Sequence, residues 1–216
     1  DGIRDGIVRL VGSEMCIRDR LGDAIVETHL KPGDDLWIRV TRDAWVETGR
    51  VLRNTFGFGY FNFLSAIDWQ PSPFGRDMDS QVDLALEGSE PSEPEPMEWG
   101  YAGGSTRFQV FARVNDVTTA RGVTLKVDIP DDDLSLPTWI PVYSGADWHE
   151  REVAEMFGID FVGHPNLRNL YLPGAFEGFP MRTDFALLAR RIKPWPGIVD
   201  VEPMPGDDED EEGGES

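Results

Sequence analysis

The sequence predicts an α+β fold of two layers: a small mixed or antiparallel sheet with helices against it, then an extended, irregular C-terminal segment. Three observations carry this. Alternating apolar and polar residues in 106–115 (TRFQVFARVN) and 123–129 (VTLKVDI) predict strands. Apolar residues at helical spacing in 42–54 and 146–157 predict helices. The order helix, strand, hairpin, helix keeps the two element types apart, which suits α+β rather than an alternating α/β chain.

The elements follow in order. Residues 1–20 (DGIRDGIVRLVGSEMCIRDR) lack the basic start, apolar block and small-residue cleavage site of a secretory leader. They read as an adapter-like, non-native string or a disordered leader, and the fold is expected to begin at Leu21. Residues 24–30 and 36–40 are expected to be strands around a turn at Lys31-Pro32-Gly33-Asp34. Thr41 is the expected N-cap of a helix over 42–54, with Ala44, Trp45, Val46, Val51 and Leu52 inward and Gly57 as its stop. Phe56-Gly57-Phe58-Gly59 has the wrong glycine spacing and the wrong element order for a dinucleotide fingerprint. Residues 60–69 read as a buried strand. An acidic, Pro-rich stretch at about 70–105 is expected to be mostly an exposed insertion, with Val82, Leu84 and Leu86 as a possible short element. The two strands at 106–115 and 123–129 form a hairpin through the turn residues between them. The α+β domain thus covers 21–145. Residues 146–205 form a helix and an extended segment, with a small basic cluster at Arg190, Arg191 and Lys193. Residues 206–216 form an acidic tail expected to be disordered.

Composition excludes several functions. The formal net charge is −20, which argues against a nucleic-acid partner. Most of the excess sits in 68–98 and 207–215, so the folded body is near neutral. The sequence holds no run of 18 apolar residues, so a transmembrane helix is not expected. The single cysteine, Cys16, allows no internal disulfide and no thiolate-held cluster.

The chemistry concentrates in 148–185. Gly158 ends the helix that begins at Ala146, with Ser144 as its expected cap. Ala146, His149, Val153, Met156 and Phe157 are expected to face the core, and Glu150, Arg151, Glu152 and Glu155 mostly the other side. His149-Glu150 opens like a zinc helix motif, but Val153 stands where the second histidine belongs. A site of His149, His164 and a carboxylate would need the fold to assemble it, and would make the chain a metal-dependent hydrolase. The glutamates could do acid–base work, yet on an exposed helix face they are expected to be solvated surface or interface rim. Arg151, Arg168 and Arg182 stand among Phe157, Phe161, Tyr171 and Phe179 in a segment without periodicity. Such a composition builds either an interface core or a set of internal ties, and the residues alone leave both open.

One ordered string carries a family likeness. Glu150-Arg151-Glu152-x-x-Glu155-Met156-Phe157-Gly158-Ile159 is followed by Gly163-His164-Pro165 and Leu167-Arg168. Gly178-x-Pro180-x-Arg182-x-Asp184-Phe185 completes it. The string resembles the signature of the C subunit, the 30 kDa-type subunit, of respiratory complex I, the proton-pumping NADH:quinone oxidoreductase. Glu155 stands where that family usually has Asp, and Phe179 and Thr183 where it often has basic or His residues. The resemblance implies a non-catalytic subunit of the peripheral arm, docked on the D subunit with the B and I subunits nearby. It implies no cofactor in this chain, while the holoenzyme uses FMN, iron–sulfur clusters, NADH and quinone. It also implies membrane association only through the complex, on the cytoplasmic face of a bacterial membrane or the matrix side of the mitochondrial one. The Lys193-Pro194-Trp195-Pro196-Gly197 style resembles actinobacterial members. A homologous subunit of a ferredoxin-, F420- or hydrogenase-linked complex would share these residues.

Overall fold

A computed structural model describes residues 15–31, 35–73 and 96–185. Helix α1 spans 15–21. Strand β1 (Ile25–His29) pairs antiparallel with β2 (Leu36–Val40). A 3-10 turn (Arg42–Ala44) leads into α2 (Trp45–Asn54). Then come β3 (Tyr60–Asp68), β4 (Phe108–Asp116) and β5 (Arg121–Ile129). Short β6 (Ser135–Pro137), α3 (Ala146–Phe157) and short β7 (Asp160–Val162) complete the order. The sheet order is β1-β2-β5-β4-β3, and β6 pairs with β7 in a separate two-stranded sheet. The fold is therefore α+β with a mixed sheet, as the sequence predicts: β2 and β5 are parallel, and the other neighbours in the large sheet are antiparallel.

Alternation decides the faces. Phe108, Val110, Ala112 and Val114 of β4 join Val123, Leu125, Val127 and Ile129 of β5 in the core. Trp45 of α2 stacks on Trp139 at 4.3 Å, and the Trp139 indole donates to the Trp45 carbonyl at 3.1 Å. Tyr143 donates to the Phe58 carbonyl at 2.8 Å, so the crossing before α3 is pinned to the start of β3.

Four expectations are corrected. First, 15–20 is not outside the fold: α1 buries Ile17 completely, while Cys16 stays exposed. Arg18 of the same helix donates to the Thr28 hydroxyl at 2.9 Å. Second, neither Thr41 nor Ser144 caps a helix with its side chain. Backbone turns do the work: Ala44 N–H donates to the Thr41 carbonyl at 3.1 Å, and Ala146 N–H to the Tyr143 carbonyl at 3.0 Å. Third, the helix expected over 42–54 begins as a 3-10 turn at Arg42–Ala44, while its α part ends at Asn54 as expected. Fourth, 96–104, the described end of the expected insertion, is only partly exposed and is tied to the sheet. Trp99 donates to the Thr106 carbonyl at 2.9 Å, Ala102 is buried, and Gln109 and Lys126 of the outer sheet face bond to its carbonyls. Aromatics among the acids, Trp99 and Tyr101, give it apolar surface to lay against the sheet. Val82, Leu84, Leu86, most of the Lys31–Asp34 turn, Arg190, Arg191, Lys193 and the acidic tail lie outside the described residues.

Candidate functional site

Helix α3 and the segment after it carry the motif residues. Glu150, expected on an exposed face, is fully buried. Its carboxylate accepts from the Thr138 hydroxyl and from the Trp139 N–H, each at 2.5 Å. Burial pushes the Glu150 carboxyl above the ordinary range, against the opposing pull of those two bonds and of nearby His164. Glu150 is thus an internal bracket between α3 and the strand end at 138–139.

Glu155 works in the other direction along the chain. Its two oxygens accept from the N–H groups of Leu170 (2.9 Å), Tyr171 (3.1 and 3.2 Å) and Leu172. Burial raises its pKa, but those three donors and Arg151 outweigh it, so the carboxyl sits below the ordinary range. Arg151, one turn earlier, donates to the carbonyls of Arg168 (2.9 Å) and Asn169 (3.3 Å). One helix face therefore supplies both acceptors and donors to a stretch with no secondary structure of its own. That is what unpaired backbone groups require. Arg151 and Glu155 are 8% and 5% exposed, which corrects the expectation of a solvated charged face. The physical reason is that α3 is covered on both sides, by the sheet and by the segment it holds.

A second clasp closes the segment at 178–185. Gly158 caps α3 in the left-handed region at φ 74°, and a Cβ there would lie 2.5 Å from Arg182 Nη2 and 2.6 Å from Phe179 Cζ. Arg182 donates to the Phe157 carbonyl at 2.7 Å and stacks over Phe179 at 4.3 Å. Beside it, Arg107 holds Asp68 in a two-point bond (2.9 and 2.7 Å) and reaches Asp184 at 3.0 Å. Asp68 also accepts from the Thr183 N–H and hydroxyl at 3.0 and 3.1 Å. Asp68, Arg107 and Thr138 do not stand out in the sequence as site residues, and Thr183 does so only as a departure within the signature string. The only signal there is a lone Asp ending an apolar strand and a lone Arg opening another.

Burial raises the Asp68 carboxyl, but Arg107, Thr183 and Gln70 outweigh it and hold it below the ordinary range. A depressed carboxylate stabilises the fold above its unfolded pKa of about 3.9 and loses that contribution as pH falls through its folded value. Asp68→Asn should therefore cost about 2 kcal/mol at pH 7, since it removes one charge-assisted pair. Its melting temperature should converge on that of the parent as pH falls below the unfolded value and on through the depressed folded one. Thermal melts across pH check this.

The remaining motif residues fall around these clasps. Phe157 is buried and Glu152 half-buried. Gly163, at φ 87°, turns the chain after β7. His164 pairs with Asp147 Oδ1 at 3.0 Å through Nε2 and accepts from the Asn166 N–H at 3.0 Å, which fixes the proton on Nε2. Pro165 and the Arg168 side chain are exposed, and Pro180 is half-buried. Phe185 stacks on Phe176 at 6.0 Å, 2.9 Å from where a Cβ on Gly178 would stand. The His149 ring meets the Leu64 carbonyl at 3.2 Å, on another side of α3 from His164. The described residues hold no cluster of three or more His, Cys, Asp or Glu able to bind a metal. They also hold no helix long and apolar enough to cross a membrane.

Comparison with known proteins agrees with the string in α3 and after it. The family model described as respiratory-chain NADH dehydrogenase, 30 Kd subunit, matches residues 38–191. The C/D subunit of NADH-quinone oxidoreductase from Cronobacter sakazakii is 41% identical over 88 residues, 41% of this chain. The protein of the same name in Klebsiella pneumoniae subsp. pneumoniae is 42% identical over 88 residues. The chain spans a small part of these relatives, 15% of their length. Among solved structures, a trypsin-resistant fragment of Nqo5 matches 74% of this chain and 99% of its own, at 22% identity and a TM-score of 0.48. The membrane-bound sulfane sulfur reductase, an archaeal respiratory membrane complex, contains a chain matched over 82% of this one and 87% of its own. Its TM-score is 0.55 at 19% identity, a likeness of fold alone. The family model spans well over half of the sequence, and the chain belongs to the family of the respiratory-chain NADH dehydrogenase 30 kDa subunit.

Proposed function

We propose that this chain is a structural subunit of the peripheral arm of NADH:quinone oxidoreductase and docks on the D subunit through the segment held by α3. One observation carries the docking surface. Arg151, Glu155 and Arg182 are spent on internal ties, while several large apolar residues of the segment face solvent. Tyr171 is 65% exposed and Met181 58%, with Phe176 and Phe179 beside them at 39% and 36%. Exposed aromatics on a rigidly clasped backbone are suited to serve as interface anchors, because little order remains to be lost on binding. Relatives whose name joins C and D in one protein favour the D subunit as the occupant. The B and I subunits stand nearby in this reading.

In this reading the chain holds no redox centre. The complex oxidises NADH, reduces quinone and moves protons, with FMN and iron–sulfur clusters bound by other subunits. Membrane association comes through the complex, on the cytoplasmic or matrix side. A ferredoxin-, F420- or hydrogenase-linked complex would use the same clasps, and the activity that co-purifies identifies the donor.

The test is co-purification of the tagged full chain from gently solubilised membranes of a host lacking its own copy. The D subunit and NADH-dependent quinone reduction should come with it. Recovery of the chain alone from the soluble fraction would sink the proposal. The double variant Tyr171→Ser, Met181→Ser should cut recovery of the D subunit at least about tenfold, the effect of one interface hot spot. Its own stability should stay within about 0.5 kcal/mol, as for ordinary surface changes. Undiminished recovery with the double variant would remove these residues from the interface.

A further inference from the structure

The outer face of the sheet carries a feature that the α3 clasps do not use. Trp37, Trp69 and Phe111 on the sheet side and Trp99 and Tyr101 on the overlying 96–104 segment line a cavity of about 740 Å³. That volume lies within the range of small-molecule sites. Lys126 of β5 lines it too, 2% exposed, with Nζ 5.1 Å from the centre of the Trp69 ring. Two of its three donors go to the carbonyls of Tyr101 (2.9 Å) and Gly103 (3.1 Å).

The nearby carboxylates are committed elsewhere. Asp128 and Glu27 both bond to Arg39, at 2.7 and 3.1 Å. No ion pair of Lys126 is found among the described residues: its buried charge is met by the two carbonyls and by the face of the Trp69 ring, with Glu27 also in the cavity wall. Burial brings its pKa down to about 8, with Arg39 adding to the fall and Asp128 and Glu27 opposing it. His29 of β1 lines the same cavity, stacked on Tyr101 at 4.3 Å, and its Nε2 is buried without a hydrogen-bond partner. Between Tyr101 and Gly103, Ala102 is buried in the left-handed region at φ 60°, a conformation that an alanine holds only when its surroundings impose it. Here it accompanies the turn that aims two carbonyls at the ammonium.

We propose that this cavity binds a small, flat, anionic ligand: a ring system lying among the tryptophans, its oxyanion on Lys126 Nζ with His29 Nε2 as second donor. Aromatic walls favour a planar ring by stacking. The buried ammonium, with no ion pair of its own, selects a negative group, and it would gain from the anion what the carbonyls and the Trp69 ring do not give.

The probe is 1-anilinonaphthalene-8-sulfonate, a fused ring bearing an oxyanion, titrated by fluorescence into the full chain. Its neutral counterpart N-phenyl-1-naphthylamine serves as control. The expected result is saturable one-to-one binding of the sulfonate. Lys126→Met should weaken it about tenfold, the loss of one charge-assisted bond, with the neutral probe unchanged. His29→Phe keeps the stack on Tyr101 and removes the donor, so it should weaken the sulfonate several-fold without shifting the melting temperature. This second variant decides the matter if Lys126→Met fails to fold. Non-saturable binding, or equal loss of both probes in a folded variant, would overturn the proposal and leave the cavity as apolar surface only.

Discussion

Glu155→Ala should lower the unfolding free energy by about 3 kcal/mol, and the segment at 168–172 should open before the sheet does. The size follows from what is left behind. Three adjacent backbone N–H groups, those of Leu170, Tyr171 and Leu172, lose their acceptor at once. Arg151 loses the carboxylate next to it. Glu155→Gln should recover part of the loss, because one amide oxygen still accepts but the charge is gone. The sign of the pH dependence follows from the depressed carboxyl. The contribution is complete above the unfolded pKa of about 4.3 and disappears as pH falls through the folded one. Denaturant melts with proteolysis of 168–172 read both numbers. Melts unchanged at pH 7 would show that these three bonds do not hold the segment.

Gly158→Ala is the second large effect, expected at about 2–3 kcal/mol, of which 1–2 is the left-handed conformation itself. The remainder is displacement. The new Cβ would stand 2.5 Å from Arg182 Nη2 and 2.7 Å from Phe179 Cε2. Either the helix end or the 178–185 clasp must move, and the clasp has fewer tertiary partners. Protease sensitivity near Phe179 should therefore rise more than the melting temperature falls, and recovery of the D subunit should drop. A large fall in melting temperature with no new cleavage site would place the strain in the helix instead.

Much of this fold is legible in the sequence because local pattern and tertiary role coincide. The alternation of 106–115 and 123–129 is the alternation of β4 and β5, and the apolar spacing of 146–157 gives the limits of α3. What is not legible is where charge goes. Glu150, Arg151 and Glu155 look like a solvated face because periodicity assumes one covered side, and α3 has two. The clue is in the following residues: a long stretch rich in large apolar groups but lacking a ladder must find acceptors elsewhere, and Glu155 supplies them. The Asp68–Arg107–Thr183 contact joins residues 39 and 115 apart in sequence, and no local pattern can report that. Trp99 and Tyr101 are hidden by the acidic, Pro-rich composition around them. The family signature is readable as an ordered string well before its chemistry is.

The position of β5 bears on how the chain comes together. It alone bonds to both β2 and β4, and its parallel pairing sets Leu36 against Val123. The β1–β2 pair and the β4–β5 hairpin are local, but neither borders the other until the parallel β2–β5 ladder forms. During synthesis from the N-terminus, the β1–β2 pair keeps an open edge on β2 until β5 follows β4 and docks there. Closing so long an excursion is slow, and exposed edges recruit foreign strands. The interval before β5 emerges is the time when this protein is most exposed to misassembly, and when a chaperone would have most to do.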